Sequence, residues 1–528
     1  MLSKHWKSRA TILTTLGILW AITLPELTNI RVLAQTRSTQ SNISQCTEVG
    51  IQEHIQQLNE GEPSAFDALV ACKSQAVPAL IKALRVTQDQ EARIIFITAL
   101  GQIGSQAAPA VPVVLNELLK DKSRDFLIVF FHSRRDVLIV VFHSLGQMGK
   151  DAVPYLITTL EQDEDSEVRA WAAYALGNIG PAAKEAVPAL ISTFQNPDRL
   201  VSFSVAEALR KIGIEAIPSL IKALYNRNSN VRSGAAVVLG EFAFEAKGAV
   251  PALITALEQD EDSEVRAWAA YALGEIGPAA KEAVPALITA LSDQDSEVRD
   301  GAASALGNIG PAAKQAVPAL IATFQSPDWL VSPVAETLRK IGIEAIPSLI
   351  EALYTKNSEV RHSAAYALGE IAPAAKQAVP ALITALEQDE DSEVRARAAS
   401  ALGGIGPAAK QAVPTLITAL SDEDSEVRAN AASALGEIAP AAKQAVPALI
   451  TALEQDEYSE VRDSAVRALG NIGPAAKQAV PALITALEQD EYSGIRDNAV
   501  SALGNIGPAA KQAVPALITA LQQDQDSG

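Results

Sequence analysis

An all-α solenoid is the fold this sequence predicts, and three observations predict it. The tripeptide Ala-Val-Pro or Ala-Ile-Pro recurs with its proline at 78, 112, 154, 188, 218, 251, 285, 318, 347, 380, 414, 447, 481 and 515. Most intervals are 33 or 34 residues, a period at which each unit is too small to bury its apolar face alone and must stack on its neighbours. Hydrophobic residues make up 48% of the chain and aromatic ones only 5%. Ala, Leu, Val and Ile therefore carry the core, which suits closely stacked helices. Within one unit the apolar spacing is helical, so each period is expected to be a helical hairpin, about fourteen in tandem over residues 76–528.

The first 34 residues stand apart from this pattern. Lys4, Lys7 and Arg9 precede an apolar run from Ala10 to Leu24, and Val32-Leu33-Ala34 supplies the small residues of a cleavage site, so 1–34 reads as a signal peptide cut after Ala34. An uncleaved anchor is the alternative, and no later segment reads as a membrane span. Cleavage changes the net charge from −19 to −22, a surface that repels nucleic acid and anionic lipid and attracts basic partners. Residues 35–75 are expected to form N-terminal capping helices. They hold Cys46 and Cys72, either a disulfide clamping the first hairpin of an exported chain or two separate thiols.

The unit from Val284 to Gly310 represents the rest. Val284, Leu287, Ile288 and Leu291 fall at i, i+3, i+4 and i+7 of a first helix, A, opened by Pro285. Asp293 to Ser296 is a polar turn whose last residue is placed to cap a second helix, B, with Glu297 in its first turn. Val298, Ala302, Ala305, Leu306 and Ile309 form the buried stripe of B, which Gly307 or Gly310 ends before Pro311.

The pattern Asp-Ser-Glu-Val-Arg-x-x-Ala-Ala-x-Ala-Leu-Gly-x-Ile-Gly-Pro at Asp295 to Pro311, repeated from Asp391 and Asp424 with Ala in place of the last Gly in the latter, resembles HEAT repeats of the short type named after phycobilisome lyases. The resemblance implies a right-handed α-solenoid whose B helices line a concave face. It also implies that the Arg after the B-helix Val forms a ladder with turn acids; here these are Arg169, Arg232, Arg266, Arg299, Arg361, Arg395, Arg428, Arg462 and Arg496. A single Arg→Ala change in such a ladder is expected to cost little stability.

Departures from the pattern are where specificity is sought. The intervals 188–218 and 318–347 are short, at 30 and 29 residues, and carry related text from Phe194 and Phe324 that marks a duplicated block. The 112–154 interval is long and holds a near-copy shifted by 11 residues, Arg124 to Val129 and Arg135 to Val140, read as a lengthened B helix or a sticky patch that includes Phe142. His132 and His143 repeat there without a third metal ligand. Most units place small residues along the outer edge of B; Trp171, Tyr174, Trp268, Tyr271, Tyr366 and Arg397 break that rule, and Trp329 breaks the shortened turn. These are the partner-binding candidates, with rings lying over the neighbouring helix as the competing reading. Lysines such as Lys184, Lys281 and Lys314 form a basic edge opposite acidic Asp-x-Asp-Ser-Glu turns. Those turns are read as solvated, with calcium binding the weaker alternative because the glycine-containing EF-hand loop is absent.

No His-Glu-x-x-His, phosphate loop or nucleophile elbow occurs, so no catalytic, cofactor or metal residues are assigned. The expected function is an exported, non-catalytic scaffold binding a protein or extended basic peptide. The alternatives are a lyase-like subunit or bilin chaperone, which the resemblance implies, and an envelope spacer. The lone helix after Pro515 is expected to act as a polar cap on the last hairpin.

Overall fold

A computed structural model describes residues 46–60, 62, 64–120, 134–196, 198–325 and 331–525. The leader expected over 1–34, the first copy of the 11-residue duplication with His132, and Trp329 lie outside the described residues. Among those described, every element is helical. Contacts group them into two compact units, Met1–Val238 and Leu239–Gly528.

The described part of the first unit opens with the helices Glu48–Asn59 and Ser64–Ala71. Cys46 and Cys72 are joined by a disulfide with Cα atoms 5.3 Å apart, tying the chain ahead of the first of these helices to the end of the second. Five A helices follow, beginning at Val77, Val111, Val153, Val187 and Ile217, and the second unit contains nine more, beginning at Val250, Val284, Val317, Ile346, Val379, Val413, Val446, Val480 and Val514. In each of these helices the recurring proline is the second residue, where its missing N–H costs nothing. A stretch of 3-10 helix, such as Gly310–Ala316, links most B helices to the next A helix.

The stripe proposed for the Val284–Gly310 unit is the buried one: Val284, Leu287, Leu291, Val298, Ala302, Ala305, Leu306 and Ile309 are all in the core. Ile288 is only half-buried, and Ala286 and Ala290 complete the A-helix stripe instead. Two details differ from the sequence expectation. Asp295, not Ser296, caps the B helix Ser296–Ile309, its Oδ1 accepting from the Glu297 N–H at 2.8 Å. Gly310 ends that helix with φ +72°, whereas Gly307 lies inside it, and a Cβ there would meet Thr337 Cα of the next B helix at 3.3 Å.

That second glycine explains how B helices stack. At Gly274, Gly403, Gly436 and Gly470 an added Cβ would fall 2.7–2.9 Å from the Cα of an alanine one repeat on, namely Ala305, Ala434, Ala468 and Ala502. Glycine facing alanine lets the backbones approach at the short end of helix packing. Leu and Val of the A helices fill the remaining space.

The long 112–154 interval contributes the helix Arg134–Gln147, in which Leu138, Val141 and Phe142 are buried. Phe142 is therefore core rather than part of a sticky patch. His143 is paired with Gln147 at 3.1 Å. One stretch, Ala92–Asn116, is long and apolar enough to cross a membrane, contrary to expectation, with half of its most apolar window buried. It comprises two helices divided by the 3-10 segment Gly104–Ala110, and Phe96, Leu100, Val111 and Val114 pack in the core. The last A helix, Val514–Gln525, keeps the internal repeat's apolar text, and Val514, Ile518 and Leu521 are at least half exposed.

Candidate functional site

Two sets of side chains are built on this frame, one inside the turns and one along the B helices. Inside the turns of the second unit, Arg266, Arg361, Arg395, Arg428 and Arg462 each grip an aspartate one repeat on: Asp293, Asp389, Asp422, Asp456 and Asp490. Arg266 shows the geometry. Its Nε and Nη2 donate to Asp293 Oδ2 and Oδ1 at 2.8 and 2.9 Å, while Nη1 donates to the Asp260 and Glu261 carbonyls of its own turn. Asp293 Oδ1 also accepts the Asp295 N–H at 2.9 Å. The fork holds the Asp293 carboxyl below the usual carboxylate range against the opposing effect of burial.

Side chains in these rungs are largely buried, with Arg395 and Asp422 only 10% and 15% exposed. The expectation that one Arg→Ala change costs little rested on an exposed ladder, and the burial overturns it. The ladder is interrupted where the shortened repeats follow. Arg169 and Arg299 hold the carbonyls of their own turns, but the residues 27 and 28 further on are Asn196-Pro197 and Ser326-Pro327. The aspartates of the acidic turns are thus committed to guanidinium forks and helix caps. Among the described residues no cluster of three or more His, Cys, Asp or Glu could hold a metal ion.

Along the B helices the partner candidates form three separate pairs. Trp171 and Tyr174 meet edge to face, centroids 5.3 Å apart, but Trp171 is 8% exposed and belongs to the core. For Trp171 the reading as a presented anchor is therefore wrong, because the ring is buried and leaves a partner little surface to grip. Lys211 lies over the Tyr174 ring at 5.0 Å and donates to Asn178 Oδ1. In the second unit Trp268 and Tyr271 make the same contact at 5.6 Å and both stay half-buried. Trp268 Nε1 donates to Glu264 at 3.4 Å. Burial, then Glu275 and Glu241, push the Tyr271 phenol up to about 12, so it is a neutral donor at ordinary pH. Tyr366 and Arg397 stack across neighbouring repeats at 5.9 Å, and Arg397 reaches Glu426 at 3.9 Å.

Sequence reasoning passed over four exposed tyrosines on the A-to-B turns: Tyr225, Tyr354, Tyr458 and Tyr492. For the last two a signal was legible, because each stands where seven other described repeats place an aspartate N-cap.

Comparison with known proteins agrees with the hairpin geometry. The HEAT-repeat family pattern matches residues 127–210, 153–240, 217–307, 250–339, 379–470 and 446–528. This chain is a HEAT-repeat protein. A second pattern, the PBS lyase HEAT-like repeat, matches residues 360–388. No curated protein matches the HEAT-repeat chain in sequence. Similar solved structures include Kap121p bound to Pho4p, at 14% identity and TM-score 0.57 over 92% of this chain and 53% of that one. Kap121p alone gives 15% and 0.55 over 89% and 54%, and Kap121p bound to RanGTP gives 16% and 0.51 over 89% and 58%. The HEAT-repeat protein described here spans little more than half the length of those chains, and the likeness is one of fold.

Proposed function

We propose that this HEAT-repeat protein is an exported, non-catalytic scaffold that holds a protein or extended peptide along its B-helix face. The observation that carries the reading is the pair of half-buried clusters, Trp268 with Tyr271 and Tyr366 with Arg397, on a ridge otherwise made of small side chains. Rings and guanidinium groups locked by neighbours bind at low entropic cost, which is the make-up of interface hot spots. Kap121p, which shares the fold, is seen bound to Pho4p. Export is supported by the leader pattern of residues 1–34 and by the Cys46–Cys72 disulfide, since such bonds persist in oxidising compartments. The test is co-purification from an extracytoplasmic fraction. Trp268→Ala with Arg397→Ala should release a partner that the parent chain retains, and retention of every partner would sink the reading. Mass spectrometry of the exported protein should find its N-terminus at Gln35.

The match of residues 360–388 to the PBS lyase repeat favours a second reading, a subunit or chaperone acting on bilin attachment. Mixing the protein with a bilin and an apo-phycobiliprotein decides it, because an unchanged absorbance spectrum removes the idea.

A further inference from the structure

The helix N-caps single out two adjacent repeats. At Asp262, Asp295, Asp391 and Asp424 the cap carboxylate accepts the backbone N–H two residues on. Tyr458 and Tyr492 occupy the same position and make no side-chain cap bond, although the preceding text, Ala-Leu-Glu-Gln-Asp-Glu, is the same as that before Asp262 and Asp391. A tyrosine there forgoes a favourable cap, and the core does not take the ring in exchange, since the two side chains are 45% and 49% exposed.

What the ring gains instead is a rigid seat. Arg428 lies 5.5 Å from the Tyr458 centroid and Arg462 lies 5.6 Å from that of Tyr492. Each guanidinium is itself fixed by its fork on Asp456 or Asp490. The surrounding Glu457, Glu460 and Glu491 are exposed, with Glu491 at 3.9 Å from Arg462 Nη2, whereas the two aspartates are held by arginine at 2.6 and 3.0 Å. The strip therefore offers two oriented aromatic groups flanked by three exposed carboxylates.

We propose that Tyr458 and Tyr492 form a docking strip for a cationic segment of a partner protein in polyproline-II conformation, with Lys or Arg at every third residue. The inference rests on the scaffold reading and names a surface distinct from the B-helix ridge. Stacked helices place equivalent residues of neighbouring repeats about 8–10 Å apart. Residues i and i+3 of a polyproline-II chain share a face at about 9.3 Å, whereas i and i+2 of a β-strand are only about 6.8 Å apart. The spacing thus selects the former, and the carboxylates with the rings select a cation over an anion or a purely apolar chain.

The test uses the full chain and fluorescein-labelled peptides of four Lys-Pro-Pro, four Glu-Pro-Pro and six Lys-Pro units. The first should bind, the second should not, and the third should bind at least threefold more weakly. Tyr458→Asp with Tyr492→Asp should weaken Lys-Pro-Pro binding at least tenfold while circular dichroism stays unchanged, because Asp is the cap residue of the sibling repeats. That variant also adds two negative charges, so general electrostatic attraction would strengthen binding; equal or tighter binding overturns the proposal. Binding that disappears with Trp268→Ala and survives the tyrosine changes also overturns it, and leaves the scaffold reading standing.

Discussion

Replacing Gly436 by alanine should loosen its repeat, even though alanine is the better helix former. In a helix interior the exchange gains about 0.8–1 kcal/mol from backbone entropy. Against that, the new Cβ would sit 2.7 Å from Ala468 Cα and 3.0 Å from its Cβ, where carbon atoms prefer about 3.5–4 Å. Neither atom is the end of a flexible side chain, so the B helices Ser425–Ile438 and Ser459–Ile472 must separate. Overpacking of this kind costs about 1–3 kcal/mol, so with two contacts this short the net effect is a loss of up to about 2 kcal/mol. Gly504 occupies the same place in the helix Ser493–Ile506 and meets nothing within 4 Å, so Gly504→Ala should stabilise by about 0.5–1 kcal/mol. Hydrogen-exchange mass spectrometry is the suitable assay, since a stacked array has separate unit and interface stabilities that local opening resolves. If both substitutions move local stability in the same direction, the close glycine–alanine approach is not what the repeat requires.

Three further outcomes follow from the turns. Arg395→Ala should cost about 2–3 kcal/mol by stranding the mostly buried Asp422, whereas Arg210→Ala, in a half-exposed pair with Glu207, should cost less than about 0.5 kcal/mol; urea titration of both variants checks the contrast. Because Asp293 has a depressed pKa in the folded chain, its stabilisation is complete above the unfolded value near 3.9 and is lost as pH falls through the folded one. Asp293→Asn should therefore flatten the fall in melting temperature below about pH 4, and an unaltered acid limb would contradict this. Ala439 ends its helix at φ +49° where most repeats use glycine, so Ala439→Gly should raise stability by about 1 kcal/mol in a thermal melt; a loss would mean that the left-handed backbone is not strained.

Most of the fold was legible because period and stripe are both written in residue type. Pro285 stands in the first turn of its helix, and Val298, Ala302, Ala305, Leu306 and Ile309 are buried where their spacing puts them. What failed depended on distance. Gly307 looks like a helix terminator in a string of letters, and only the approach of the next B helix reveals it as a packing residue. Ser296 and Asp295 are both capping types, and backbone geometry alone chooses the aspartate. Trp171 and Trp268 stand in identical local text, Ser-Glu-Val-Arg-Ala-Trp-Ala-Ala-Tyr-Ala-Leu-Gly, yet one ring is buried and the other half-exposed. The difference lies outside the local text: Trp171 is followed by a shortened repeat and Trp268 by a regular one.

The arginine fork has a consequence for how such an array changes length. Each guanidinium closes on a carboxylate 27 or 28 positions downstream, so recombination that removes or adds one complete hairpin leaves every surviving cation with an identical acceptor. A cut of half that size would strand a buried charge on each side of the junction. Growth and contraction are thereby quantised, and the near-verbatim text from residue 379 onward is what such lossless copying would leave behind.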